Sequence, residues 1–69
     1  MNIHPIVNQL RALRTELNVS ITALAKKSGY DRTTISRWEH GKLAPNIHAL
    51  ADLCGALGAQ LKIEPRDGR

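Results

Sequence analysis

Residues that begin helices and glycines that end them alternate closely along this chain, which leaves room only for short helices. Ser20, Asp31 and Asn46 each precede a segment with apolar residues at helical spacing, and each can accept a hydrogen bond from the first helical turn. A glycine follows each segment, and glycine readily adopts the left-handed conformation that closes a helix. The pattern predicts helices over residues 21–28, 32–40 and 47–57.

Another helix is predicted ahead of these, over residues 4–17. Pro5 suits its first position, because the N–H that proline lacks has no partner there. Asn18 is a plausible stop. The apolar residues that fall on one face of this helix are Ile6, Val7, Leu10, Leu13 and Leu17.

Size and composition favour one small domain. With 69 residues, we expect a single domain over residues 1–69 and an all-α fold of four to five short helices. The net charge of +4 favours an anionic partner. We find neither an export signal nor an apolar run of membrane-spanning length, and one cysteine cannot form an internal disulfide. We therefore expect a cytoplasmic protein with no membrane partner.

Apolar spacing also predicts which side of each helix faces the core. In the third helix Ile35 and Trp38 are three residues apart and point inward, which turns the polar residues outward. In the fourth helix Leu53 lies off the predicted apolar stripe, so we expect it to face a partner. The residues of that predicted inward stripe are Ile47, Leu50, Ala51, Cys54 and Leu57.

The outward residues of the third helix suit contact with DNA bases. The second and third helices are joined by a tight turn containing Gly29, which is typical of a helix-turn-helix. A helix fits the DNA major groove, short Thr and Ser side chains allow close approach, and Arg can donate two hydrogen bonds to guanine. We predict base contacts from Arg32, Thr33, Ser36 and Arg37.

Beyond Gly58, residues 60–65 alternate in polarity as a short β-strand does, and the tail at 66–69 is expected to fray. Because a solitary strand leaves its backbone groups without partners, the simplest prediction is pairing with the same strand of a second copy. Two alternatives are a tail docked on a monomer and a dimer made by the fourth helix alone. The residues predicted at the homodimer interface are Leu53, Leu57, Leu61 and Ile63.

The stretch from Leu10 to Leu61, and the segment TTISRWEHGKLAP in particular, resembles the phage-repressor family of helix-turn-helix regulators, also known as Cro/CI-like or Xre. The resemblance implies a lambda-repressor-like fold and base-contacting positions at Arg32, Thr33 and Arg37. It also implies phosphate contacts by Lys42 and Asn46, and a salt bridge between Arg14 and Glu39, with Arg14 a further phosphate contact.

The chain departs from the family pattern at three positions. Ile21 stands where the family commonly has a Gln that contacts DNA, so Ser20 or Thr22 is expected to replace that phosphate contact. Ser28 occupies a position that is usually apolar. Tyr30 occupies one often held by Val, where its ring is either half-buried or its hydroxyl reaches a phosphate.

Nothing in the sequence predicts an enzyme, a cofactor or a metal site. The three histidines lack metal-site spacing with Cys54, which is expected to be a small buried residue. His40, at the end of the third helix, is either near a phosphate or solvated. No phosphate-binding glycine motif is present.

The sequence therefore predicts a dimeric DNA-binding repressor that occupies an inverted-repeat operator. One alternative is an antitoxin with the same DNA contacts, whose main partner is a toxin protein. Another is a protein-interaction module that retains the fold without binding DNA. A third, activation rather than repression, depends on where the operator lies.

Overall fold

The computed structural model describes residues 3–63, and within that range the chain forms four helices and no strand. They are α1 (Pro5–Glu16), α2 (Ile21–Ser28), α3 (Arg32–Glu39) and α4 (Ile47–Ala56). The predicted all-α architecture is confirmed, and the predicted helix ends agree to within one residue. None of these helices is long and apolar enough to cross a membrane.

The predicted capping residues begin their helices as expected. The side chains of Ser20, Asp31 and Asn46 accept hydrogen bonds from backbone N–H groups of the first turn, at 3.0, 3.0 and 2.8 Å. His4 does the same for α1, where its Nδ1 accepts from the Ile6 N–H at 3.1 Å. Gly29 closes α2 with a φ of 82°, a conformation that disfavours residues with a Cβ. Each cap supplies a partner to a backbone donor that the helix itself leaves unpaired.

The core contains at least one buried residue from every helix. Leu24 and Ile35 hold α2 against α3, and both are almost completely inaccessible to solvent. Because the two helices share this contact and only a three-residue turn at 29–31 separates them, their relative orientation is fixed. The buried hydrophobic cluster comprises Leu10, Leu24, Ile35, Leu53 and Leu57.

The prediction for α4 was only partly correct: Leu57 is in the core and Leu50 and Cys54 pack against it, but three other residues were misplaced. Leu53, expected to face a partner, is 1% exposed and lies in the core, whereas Ile47, expected inside, is 68% exposed. Ala51 is exposed as well, and the small residue Ala49 is buried in its place. Apolar residues occur nearly all round this helix, so helical periodicity alone could not select the inward side. Periodicity also misplaced Leu17, which was predicted on the inward face of α1 but is 48% exposed.

Residues 59–63 form neither helix nor strand in the single chain. Leu61 is half-buried and lines a groove with Ile6 and Leu13, while Ile63 is 98% exposed. A strand needs a neighbouring strand for its hydrogen bonds, so pairing with a second copy remains a prediction. The predicted strand end at 64–65 and the predicted frayed tail at 66–69 lie outside the described residues.

Candidate nucleic-acid interface

The helix-turn-helix presents one polar face of α3 to solvent. Arg32, Thr33 and Arg37 are exposed and Ser36 is half-buried, while Ile35 on the opposite side is in the core. We call the four polar residues the recognition face. All four predicted base-contacting residues therefore lie on the outer surface of the helix, as the inward positions of Ile35 and Trp38 required.

A shallow groove runs from the recognition face to the start of α2. Arg32, Thr33 and Ser36 line one side of the groove. Ser20 and Thr22, two predicted phosphate contacts, line the other side together with Ile21. The groove thus combines predicted base and phosphate contacts in one concave surface, although they come from different helices.

A second concave patch lies at the C-terminal end of α3. Thr33, Ser36 and Arg37 line it together with His40 and Lys42. The patch carries two positive charges, those of Arg37 and Lys42, and Lys42 is exposed. Asn46 lines neither concave surface, and its Oδ1 caps α4, which leaves its amide N–H groups free to donate.

A bidentate ion pair joins α1 to the end of α3. Arg14 Nε donates to Glu39 Oε2 at 2.7 Å, and Nη2 donates to Oε1 at 2.8 Å. Only 13% of the Arg14 side chain and 4% of the Glu39 side chain are exposed. Two parallel hydrogen bonds between planar charged groups fix their mutual orientation as well as their separation. The salt bridge expected from the family resemblance is therefore present.

Arg14 has internal partners at all three guanidinium nitrogens. Its Nη1 donates to the carbonyl oxygen of Val19 at 2.8 Å, which holds the connection between α1 and α2. The hydrogen bonding of the Arg14 guanidinium to the Glu39 carboxylate is the main reason that the pKa of Arg14 is raised above its ordinary value. Arg14 also lines the groove of the recognition face, so a phosphate contact from it stays a prediction, served by N–H groups not used internally.

Comparison with known proteins agrees with this geometry. A helix-turn-helix family profile matches residues 10–62, which is most of the chain. This protein belongs to the Cro/CI-like helix-turn-helix family. A search of curated protein sequences found no significant match.

Solved structures that resemble this helix-turn-helix protein include a repressor domain and a toxin–antitoxin module. One is the DNA-binding domain of the P22 C2 repressor in solution, with 33% identity, a TM-score of 0.74, and coverage of 87% of this chain and 79% of that one. The other is a toxin–antitoxin module from Streptococcus pneumoniae, with 29% identity, a TM-score of 0.71, and coverage of 90% and 68%. The family and fold are those of DNA-binding regulators, which are not enzymes.

Tyr30 makes a contact that the sequence did not predict. Its hydroxyl donates to Asp52 Oδ2 on α4 at 2.7 Å, and its ring meets Trp38 edge-on at 5.5 Å between centroids. His48 lies near the same carboxylate, 3.5 Å from its Oδ2. Of the two alternatives left open by the sequence, the half-buried ring is present, and in the free protein the hydroxyl is used within the chain.

The contact between Tyr30 and Asp52 predicts that the tyrosine hydroxyl loses its proton at a higher pH than usual. The hydrogen bond to Asp52 is the main cause that raises the pKa of Tyr30 above its ordinary value near 10, because it favours the neutral phenol. The associated stability is present below pH 10 or so and is lost as pH rises through the raised pKa. We expect the absorbance of this single tyrosine to titrate above about pH 10, and Asp52→Asn to lower the midpoint. A wild-type midpoint at or below that of free tyrosine would contradict the contact.

The remaining candidate residues form no metal-binding group in the described part of the chain. Between residues 3 and 63, no three His, Cys, Asp or Glu side chains come together in a way that could hold a metal ion. Cys54 packs beside the core, and burial raises the pKa of its thiol, which disfavours the reactive thiolate. Arg11, whose Nε lies 3.8 Å from Glu39 Oε1, was missed, although its spacing of three from Arg14 could have indicated a shared helix face.

Proposed function

We propose that this helix-turn-helix protein is a sequence-specific DNA-binding transcriptional regulator, a repressor that occupies an inverted-repeat operator as a homodimer. The observation that carries the proposal is the recognition face, held outward by the buried Ile35 and flanked by the positively charged patch at Lys42. Short hydroxyl side chains between two arginines allow close approach to base edges while the arginines supply directional donors. The similarity to a repressor's DNA-binding domain supports the same conclusion.

In the proposed complex the contacts divide into two kinds. Arg32 and Arg37 contact bases, with Thr33 and Ser36 between them on the recognition face. The expected phosphate contacts lie around this face. They set the position of α3 in the DNA major groove without selecting a sequence. They are Ser20, Thr22, Lys42, Asn46 and Arg14.

For the dimer, the exposed apolar end of the described chain provides the supporting observation. Ile63 is 98% exposed and Leu61 half-buried, so pairing of residues 60–65 between two copies would bury both. Leu57 is 8% exposed, so only a small part of its side chain can contact a second copy. Leu53 is excluded from the interface because it is buried in the core of its own chain. Two-fold pairing would place two recognition helices about 34 Å apart, one DNA turn.

The antitoxin function is the second candidate. It is favoured by the 29% identity to a chain in the structure of a toxin–antitoxin module from Streptococcus pneumoniae. The exposed side chains of Leu43 and Ile47 offer apolar area to a protein partner. The test is co-expression with the product of an adjacent gene. Purification of a stoichiometric complex would support the antitoxin function, whereas recovery of this protein without a bound partner would favour the repressor.

A charge-matched pair of double variants tests DNA recognition. Arg32→Ala with Arg37→Ala removes two positive charges from the recognition face. Lys26→Ala with Lys27→Ala removes the same charge from α2, at exposed positions that line neither the groove nor the patch. Titration of the preferred duplex, selected from a random DNA pool, should show a much larger loss of affinity for the arginine variant. Equal losses would mean that binding depends on net charge alone and would contradict the proposal.

Removal of the chain after Gly58 should weaken the homodimer. Leu61 and Ile63 are lost in this variant, while the whole of α4 and the core leucines are kept. Sedimentation equilibrium of the full chain and the truncated chain should therefore give a higher dissociation constant for the latter. The substitution Ile63→Ser offers a milder test of the same contact, and an unchanged dimer in both variants would contradict the predicted pairing.

A further inference from the structure

A histidine at the end of the recognition helix has a ring nitrogen within hydrogen-bond distance of a backbone carbonyl oxygen. The Nδ1 atom of His40 lies 2.7 Å from the carbonyl oxygen of Ser36, one turn earlier in α3. A carbonyl oxygen only accepts hydrogen bonds, so Nδ1 must carry the proton and donate it. The remaining ring nitrogen, Nε2, is then an unprotonated acceptor in neutral His40 and becomes a donor when the ring gains a proton.

The surroundings of His40 are those of an anion-binding surface. His40 is exposed and lines the patch with Thr33, Ser36, Arg37 and Lys42. The charged members of that patch, Arg37 and Lys42, are both positive. The nearest carboxylate in sequence, that of Glu39, is directed into the ion pair with Arg14 and is buried. An anion bound to this patch would favour the positively charged form of an imidazole beside it.

We propose that protonated His40 donates from Nε2 to a DNA phosphate, so that DNA binding by this protein is coupled to proton uptake and tightens as pH falls. The inference rests on the proposed DNA binding and adds to it a contact and a pH dependence. The fixed Nδ1–H bond orients the ring before DNA arrives, and the C-terminal end of α3 favours a positive charge there. Histidine is the side chain whose charge changes most readily near neutral pH, so the coupling is measured across that range.

A pair of histidine variants tests the coupling. The test variant is His40→Asn. Its side chain retains an N–H that can donate to the Ser36 carbonyl but binds no proton near neutral pH. His48→Asn is the matched control, since His48 is an exposed histidine on α4 that lines neither the groove nor the patch. The probe is a labelled duplex of random sequence, because a phosphate contact does not depend on base identity. Affinity is measured at about pH 6 and about pH 8 and constant ionic strength.

We expect the wild-type protein and His48→Asn to bind about three- to tenfold more tightly at the lower pH, and His40→Asn to lose most of that increase. Circular dichroism at both pH values checks that each variant is folded, and His40→Gln provides a second substitution if His40→Asn is not. The same increase in the His40 variant as in wild type would overturn the proposed contact and leave DNA binding intact. No binding by any protein at either pH would overturn the proposed function as well.

Discussion

Replacement of Arg14 by alanine should reduce the free energy of unfolding by about 3–5 kcal/mol, the usual cost of breaking a buried ion pair. The Glu39 side chain is only 4% exposed, and the variant leaves its carboxylate without its bidentate partner. It also removes the hydrogen bond to the Val19 carbonyl, which holds the connection between α1 and α2. A domain of this size has about 3–5 kcal/mol of stability in total, so we expect a largely unfolded protein at room temperature.

Arg11→Ala is the matched control for this prediction. Arg11 lies on the same helix and approaches the same carboxylate, but at 3.8 Å and with a side chain that is 48% exposed. Its loss should cost less than about 1 kcal/mol, as is typical of exposed ion pairs. Urea denaturation followed by the fluorescence of Trp38, the single tryptophan, measures both variants. Similar small losses for the two arginines would contradict the structural importance assigned to the Arg14–Glu39 pair.

Replacement of Arg37 by alanine should cost about 1–3 kcal/mol of binding free energy on the preferred DNA sequence and relax selection at one base position. Arg37 is exposed on the recognition face, which leaves its guanidinium accessible to a base edge. Bidentate contact with a guanine would be lost entirely in the variant. Competition between the preferred duplex and a duplex substituted at single positions measures this loss.

Lys42→Ala is the matched control on the same patch. A phosphate contact contributes equally on every sequence, so this variant should bind all duplexes more weakly and reduce the salt dependence of log K by about one unit. The two positive charges are removed from neighbouring positions, so a difference between the variants reports the kind of contact. Uniform losses on every duplex for both would contradict the assignment of Arg37 to bases.

The sequence predicted the elements of this fold well because their signals are local. The Ser20, Asp31 and Asn46 caps and the left-handed Gly29 depend on residues within one helical turn. The orientation of α3 followed from the same kind of signal, since Ile35 determines which residues remain outside. The family resemblance supplied the Arg14–Glu39 pair, whose partners are 25 residues apart and could not be paired from spacing alone.

Features that depend on packing between helices were not predicted. The burial of Leu53 and the exposure of Ile47 reflect how α4 rotates against α2, which the apolar composition of α4 leaves undetermined. The hydrogen bond between Tyr30 and Asp52 likewise requires the relative position of two helices. The contact of His40 with the Ser36 carbonyl is local, but the proton position is inferred from the distance between the two atoms, which the sequence does not give.

The most direct test of sequence recognition by α3 is selection of bound duplexes from a random DNA pool at moderate salt, using the purified protein. An enriched inverted repeat, with half-sites about one helical turn apart, is the result that we predict. Enrichment of a single half-site would retain base recognition and contradict the dimer on DNA. Binding that is sensitive to salt but enriches no sequence would contradict the central claim that the recognition face selects bases.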